Sequence, residues 1–507
     1  MENAVTLNLH CKITFRWQSV YCNNNKKSNR IFSGTQFPKA TRRFRCLSSL
    51  RPSTPVPHGA SSKTHTTLLV ETYHQHRQLR ALINRLEKED SCPLQMLRDD
   101  GDWTKDNFWA VIRFLRHASR FHEILQVFHM WTNIEKSRIN ELNYEKIIGL
   151  LGEEGMTEEA VQALRDMTGF GLQPSLEVYN SIIHAYAREG KFDDALFFVN
   201  EMKEIGLAPE TDTYDGIIEA YGKYNMYDEI GKCLKTMKLD GCPPDDFTYN
   251  LLICEFSRAG LLRRMERCYQ TMLSQRMKLQ SSSLVAMLEA YANFGILDKM
   301  EKVYRKVVNS TTLEEDTIRK LANVYIKNYM FSRLDDLGND LSSRTGRNDL
   351  VWYLRLLSHA CLLSRKGMDS VIREMSEANS SWNVTMANTI LLAYLKMKDF
   401  TRFRMLLSEL PTHRVRPDII TIGILFDAIK IGFDGAEILE AWRSMGLLYR
   451  PVEMNTDSLV LIAFGKGRFL KDCEEVFTSL ESKTREEKKW TYRYLIDLVL
   501  KYRGKRP

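Results

Sequence analysis

Six cations recur at one place in a repeating frame of this chain. Arg188, Lys223 and Arg258 stand 35 residues apart, and Lys327, Lys396 and Lys466 follow at the equivalent place further on. A column of Lys and Arg can meet a chain of phosphates, and each contact makes binding salt-dependent through counterion release. The same residues admit a second role. Each falls late in a helical pattern, where a cation complements the helix macrodipole. Glu153, Asn293, Leu362 and Ile431 interrupt the column.

Catalytic and metal chemistry have no comparable foothold. The ten cysteines are scattered from Cys11 to Cys473 with no C-x-x-C pair, so paired zinc ligands are missing. A G-x-x-x-x-G-K-[ST] phosphate loop is absent. The cysteine spacing gives no disulfide framework. No enzyme activity, metal or cofactor is expected.

The elements that must position the cations follow one beat. Tyr144, Tyr179, Tyr214 and Tyr249 are 35 residues apart, with Met167, Met202, Met237 and Met272 in step and Pro174, Pro209 and Pro244 closing the units. A fixed period of about 20–50 residues marks a stacked-repeat protein. In the unit 176–210, Val178, Tyr179, Ile182, Ile183 and Tyr186 follow helical spacing. Gly190 breaks the pattern, and a second apolar stripe (Ala195, Leu196, Phe198, Val199, Met202) runs to Gly206 and Pro209. Two antiparallel helices cannot bury both apolar faces alone, so units must stack. Cys233 and Cys268 lie in an apolar column with Ala163, Phe198 and Val303 and read as small buried hydrophobes.

With Val178-Tyr179-Asn180, the Ala-Leu pair, Glu-Met and Gly-Leu-x-Pro in place, the pattern resembles the pentatricopeptide repeat, and the unbroken 35-residue units resemble its plant organellar P class. The resemblance implies an all-α, right-handed superhelical solenoid of about eleven helix-turn-helix repeats. They fall at 105–140, 141–175, 176–210, 211–245, 246–280, 281–314, 315–349, 350–383, 384–418, 419–453 and 454–488. Residues 71–104 form an N-terminal helical segment and 489–507 a capping helix and tail, with Trp490, Tyr494, Leu495 and Leu498 on one side. The units from 141 to 280 match well, those from 281 to 383 are degenerate, and 384–418 returns to form. The editing subclass ends in a deaminase-like domain, for which no room is left after the last repeat.

Numbering each unit from its first residue, the family reads one base per repeat through positions 5 and 35. The resemblance therefore assigns base reading to Asn180 with Glu210, Asn250 with Gln280, and Asn388 with Asp418. The last pair matches the combination that favours uracil. Glu145 with Ser175 and Asp215 with Asp245 match no readable pair, and position 2, usually an apolar wedge, is Glu177 and Asp212 in two repeats. Position 13, the cation column, would face the RNA backbone.

The first seventy residues differ in kind. They hold eleven Lys and Arg against Glu2 alone, with many Ser, Thr and Asn. That composition resembles an organellar transit peptide and points to the chloroplast, with the mitochondrion as the alternative. Setting this leader aside leaves 61 basic against 63 acidic residues, so the formal charge of +8 comes from the leader and local cations must carry any nucleic-acid case. The expectation is a monomeric, non-catalytic binder of single-stranded organellar RNA with no membrane span, working alongside other RNA-processing proteins. A protein-interaction scaffold is the alternative, motivated by the acidic Glu177, Glu210, Asp212 and Asp215.

Overall fold

The computed structural model describes residues 79–87, 92–345, 349–480 and 490–503. The leader reading for 1–70 lies outside the described residues. These form two compact units, one ending at Ser283 and the other beginning at Leu284, so the division falls inside helix Ser281–Asn293.

In the first unit each 35-residue period is a helical hairpin. Ser175 starts helix Leu176–Arg188 by accepting a hydrogen bond from the Val178 N–H, one of the orphan donors of a helix start. Gly190, at φ 79°, ends it in the left-handed region, and the Lys191 N–H closes back on the Tyr186 carbonyl at 3.0 Å. Helix Phe192–Glu204 follows and stops at Gly206. The same two helices recur as Glu141–Glu153 with Thr157–Gly169, Thr211–Lys223 with Tyr227–Leu239, and Asp246–Arg258 with Leu262–Ser274. The left-handed turn recurs in register at residues 155, 190, 225 and 260, with Asn225 standing where the others are Gly.

Stacking makes the core. The first helices pack in succession, Glu141–Glu153 on Leu176–Arg188, then Thr211–Lys223, then Asp246–Arg258. Tyr144, Tyr179 and Tyr214 on these first helices and the four methionines of the beat on the second helices are fully buried. Burial of each methionine contributes about 1.5–3 kcal/mol, and a hairpin cut from its neighbours would forfeit that. The expected all-α hairpin stack is thus what the chain forms. Near the start of the unit, Phe108 stacks on Trp131 with centroids 4.0 Å apart, and Trp131 Nε1 donates to the Trp103 carbonyl at 2.8 Å.

The second unit is less regular. Helix Asp349–Cys361 packs on Val384–Met397, and Val384–Met397 on Ile419–Lys430. Beyond that point the succession changes. Ile419–Lys430 is covered by Arg468–Ser479, and the closing helix Tyr492–Arg503 packs on Arg468–Ser479. The intervening helix Ser458–Phe464 packs on Glu315–Lys327, with further contacts to Asp349–Cys361 and Val384–Met397. Gly465 (φ 81°) and Gly467 (φ 24°) flank Lys466 and cut this helix to seven residues. Residues 450–452 hold the closing helix: the Val452 N–H donates to the Trp490 carbonyl at 2.9 Å and the Tyr492 N–H to the Arg450 carbonyl at 3.2 Å.

Candidate nucleic-acid interface

Because the first helices of the first unit stack side by side, their last residues share one edge. Arg188, Lys223 and Arg258 are all exposed there. Their surroundings differ. A guanidinium nitrogen of Arg188 donates to the Gly152 carbonyl of the preceding repeat, answering a helix-end acceptor. Arg258 pairs with Glu255, whose carboxyl is pushed above its usual value by burial although Arg258 pulls it back. Lys223 has no carboxylate within salt-bridge distance among the described residues. Glu153, the first gap in the column, is answered by Arg116, which reaches it at 2.8 Å and Glu154 at 2.5 Å. Carboxylates thus answer Arg116 and Arg258 at this edge, a carbonyl answers Arg188, and Lys223 is left without a carboxylate among the described residues.

In the second unit the column is partly spent. Lys327 is exposed. Lys396 Nζ lies 5.4 Å from the Phe464 ring centroid, and Lys466 Nζ pairs with Glu474 at 2.6 Å.

In four repeats positions 5 and 35 are brought together, by different routes. Ser175 donates to Glu145 at 2.7 Å. Asn388 Nδ2 donates to Asp418 at 3.0 Å. Asn250 Oδ1 accepts from the Gln280 backbone N–H at 2.8 Å, while its Nδ2 donates to the Lys278 carbonyl at 2.9 Å. Asn180 reaches Glu210 through a hydroxyl: Thr213 donates to Asn180 at 2.7 Å and accepts from the Glu210 N–H at 3.2 Å. The asparagines are buried, with relative exposures of 4% for Asn180, 2% for Asn250 and 0% for Asn388. Glu210 and Gln280 are exposed, whereas Asp418 is 1% exposed.

Position 35 also has a purely structural duty. Ser175, Asp245 and Asp418 each cap the helix that opens the next repeat. A short polar side chain is favoured there by the orphan N–H groups of the helix start, independently of any base. The sequence reading missed a third column. Position 3 holds Thr213, Thr248, Ser283, Thr317, Thr421 and Thr456, all buried. The signal was available as a hydroxyl recurring on the same beat.

Among the described residues there is no group of three or more His, Cys, Asp or Glu side chains suited to a metal ion, and no helix is long and apolar enough to cross a membrane.

Comparison with known proteins places these features. Residues 162–224 match the pentatricopeptide repeat domain, 209–258 the PPR repeat family and 247–277 the PPR repeat. A pentatricopeptide repeat-containing protein of Arabidopsis thaliana, named as chloroplastic, is 59% identical over 458 residues, covering 90% of this chain and 91% of that protein. Among solved structures, the maize protein PPR10 aligns with a TM-score of 0.36 at 18% identity over 82% of this chain and 66% of that one. The same protein bound to an 18-nucleotide psaJ RNA element aligns at 0.40, over 78% and 56%. With its helical hairpins on a 35-residue beat and a relative matched along most of its length, the chain belongs to the pentatricopeptide repeat family.

Proposed function

We propose that the protein binds single-stranded RNA in the chloroplast and acts there without catalysis, in transcript stabilisation or processing, intron splicing or translation. The observation that carries this is the exposed edge of Arg188, Lys223 and Arg258 on successive stacked helices. Stacking sets cations at a repeating interval, as a phosphate chain requires. The buried Asn180 and Asn250 fix the backbone that presents the exposed Glu210 and Gln280. In this reading the position-35 side chain meets the base edge and the asparagine orients it. The chloroplast assignment is supported by the name of the Arabidopsis relative and by the acid-poor composition of residues 1–70.

The test is crosslinking of the tagged protein in intact chloroplasts, followed by sequencing of the recovered RNA. A sharp footprint on one or two transcripts supports the proposal. Recovery no greater than from an untagged control overturns it.

A further inference from the structure

The second unit places one of its own segments where the family would place RNA. Asp457 Oδ2 accepts from Arg319 Nε at 3.0 Å, and Arg319 is position 5 of its repeat. Thr456 Oγ1 accepts from Asn388 Nδ2 at 2.7 Å, and Asn388 is position 5 of another. The Asp457 backbone N–H donates to Thr385 Oγ1 at 3.0 Å, and Thr385 is position 2 of that same repeat. Phe464 lies against Lys396, its position 13. Every class of position assigned to RNA is thus engaged by the segment 456–464.

The chemistry of these contacts resembles that of a nucleotide strand. A carboxylate meets the guanidinium, an acceptor oxygen meets the asparagine amide, and an aromatic ring lies under the ammonium. The segment is anchored from behind by Asp418, which accepts from the Asn455 and Thr456 N–H groups at 3.0 and 2.9 Å and from the Thr456 hydroxyl at 2.7 Å. Asp457 then caps helix Ser458–Phe464, which buries Leu459 and Val460. The fit is incomplete, because the buried Asn388 Oδ1 and Tyr353 Oη find no hydrogen-bond partner among the described residues.

We propose that the segment 456–464 is the resident occupant of the base-reading face of the repeats at 315–349 and 384–418, so that contiguous reading is confined to the repeats from 105 to 280, the repeat at 281–314 carrying the apolar Val285 at position 5. This rests on the RNA-binding reading above. Its consequence is a short site. At one base per repeat, the five repeats from 105 to 280 accommodate about five nucleotides, whereas the full array would take about eleven.

The experiment measures affinity of the full chain for oligouridine of increasing length, before and after the segment is released. For the natural chain, affinity should stop rising near five nucleotides. Asp457→Arg sets like charges against each other at Arg319, and affinity should then keep rising to about nine nucleotides or more. The exchanged pair, Arg319→Asp with Asp457→Arg, should restore the short site. If Asp457→Arg loses its helical circular dichroism, Asp457→Asn keeps the helix cap without the charge and carries the same expectation. A natural chain whose affinity rises to ten or more nucleotides overturns the proposal. A site of about five nucleotides in every variant also overturns it while leaving RNA binding intact. No binding by any variant overturns both.

Discussion

His184 and Gly216 fit as ring and notch between adjacent repeats: a Cβ on Gly216 would lie 2.2 Å from His184 Cδ2. Since a carbonyl only accepts, the 3.0 Å contact between His184 Nε2 and the Asp212 carbonyl fixes the proton on Nε2. Gly216→Ala therefore has opposing terms. Helix propensity favours Ala by about 1 kcal/mol, and the clash with a packed ring costs about 1–3 kcal/mol. The clash should win. Chemical denaturation should show a loss, and in a His184→Ala background the same change should become neutral or stabilising. A loss of equal size in both backgrounds would detach Gly216 from His184.

The same imidazole sets a pH dependence. Burial pushes the His184 pKa below its ordinary value, against an opposing pull from Asp212. In the unfolded chain the ring takes a proton near pH 6.5, while the folded chain resists. The unfolded state then binds more protons, so this contribution is complete above about pH 6.5 and is lost as the pH falls, by up to about 1.4 kcal/mol per pH unit. The stability difference between the natural chain and His184→Asn should shrink on acidification from pH 7.5 to 5.5. A difference that stays constant would show that the ring is not held neutral.

On the proposed RNA-binding reading, Lys223 is the exposed cation of this edge best placed to meet a phosphate, since no carboxylate among the described residues pairs with it. Lys223→Glu should weaken binding to oligonucleotides of every sequence and reduce the slope of log affinity against log salt by about 0.7, the single-strand value for one contact. Gel-shift titrations at several salt concentrations measure both. An unchanged slope would remove Lys223 from the interface.

Asn388 and Asp418 predict a loss of stability rather than of base choice alone. Asn388→Ala leaves buried acceptors on Asp418 and Thr456 short of a donor, at a cost of about 1–3 kcal/mol. Asn180→Ala removes only the acceptor for Thr213 and should cost less. Paired thermal melts compare them, and equal costs would contradict the network.

Cysteine reactivity should follow burial. The Cys233 thiol is pushed up to about 12, chiefly by desolvation, so at pH 8 almost none is thiolate, the reactive form. Cys92 is exposed. Under native conditions a thiol reagent mapped by mass spectrometry should modify Cys92 long before Cys233. Early labelling of Cys233 would mean the stack opens there.

The 35-residue beat, the hairpin within each period and the apolar columns were legible in the sequence, because each depends on local spacing. Period 3.6 marks a helix, a recurring Gly or Asn marks its left-handed end, and a constant Tyr or Met marks the stacked face. The cation column was equally legible as spacing. Its partners were not: Arg258 with Glu255 is local, but Arg188 with Gly152 joins two repeats and Lys466 with Glu474 crosses a broken turn.

What the sequence determined by itself is therefore periodic: where helices start and stop, which side of each is buried, and which family the pattern resembles. The tertiary structure decided what position 5 and position 35 touch. Neither burial of Asn388 nor the Arg319–Asp457 pair, 138 residues apart, follows from a register that would lay the segment 454–464 on the preceding repeat. That segment instead follows the Asp418 carboxylate, whose bonds to Asn455 and Thr456 exist only once residues 37 and 38 positions apart are folded together. Local periodicity fixes the elements, whereas competition among non-local partners for a few buried polar groups fixes which surface stays open.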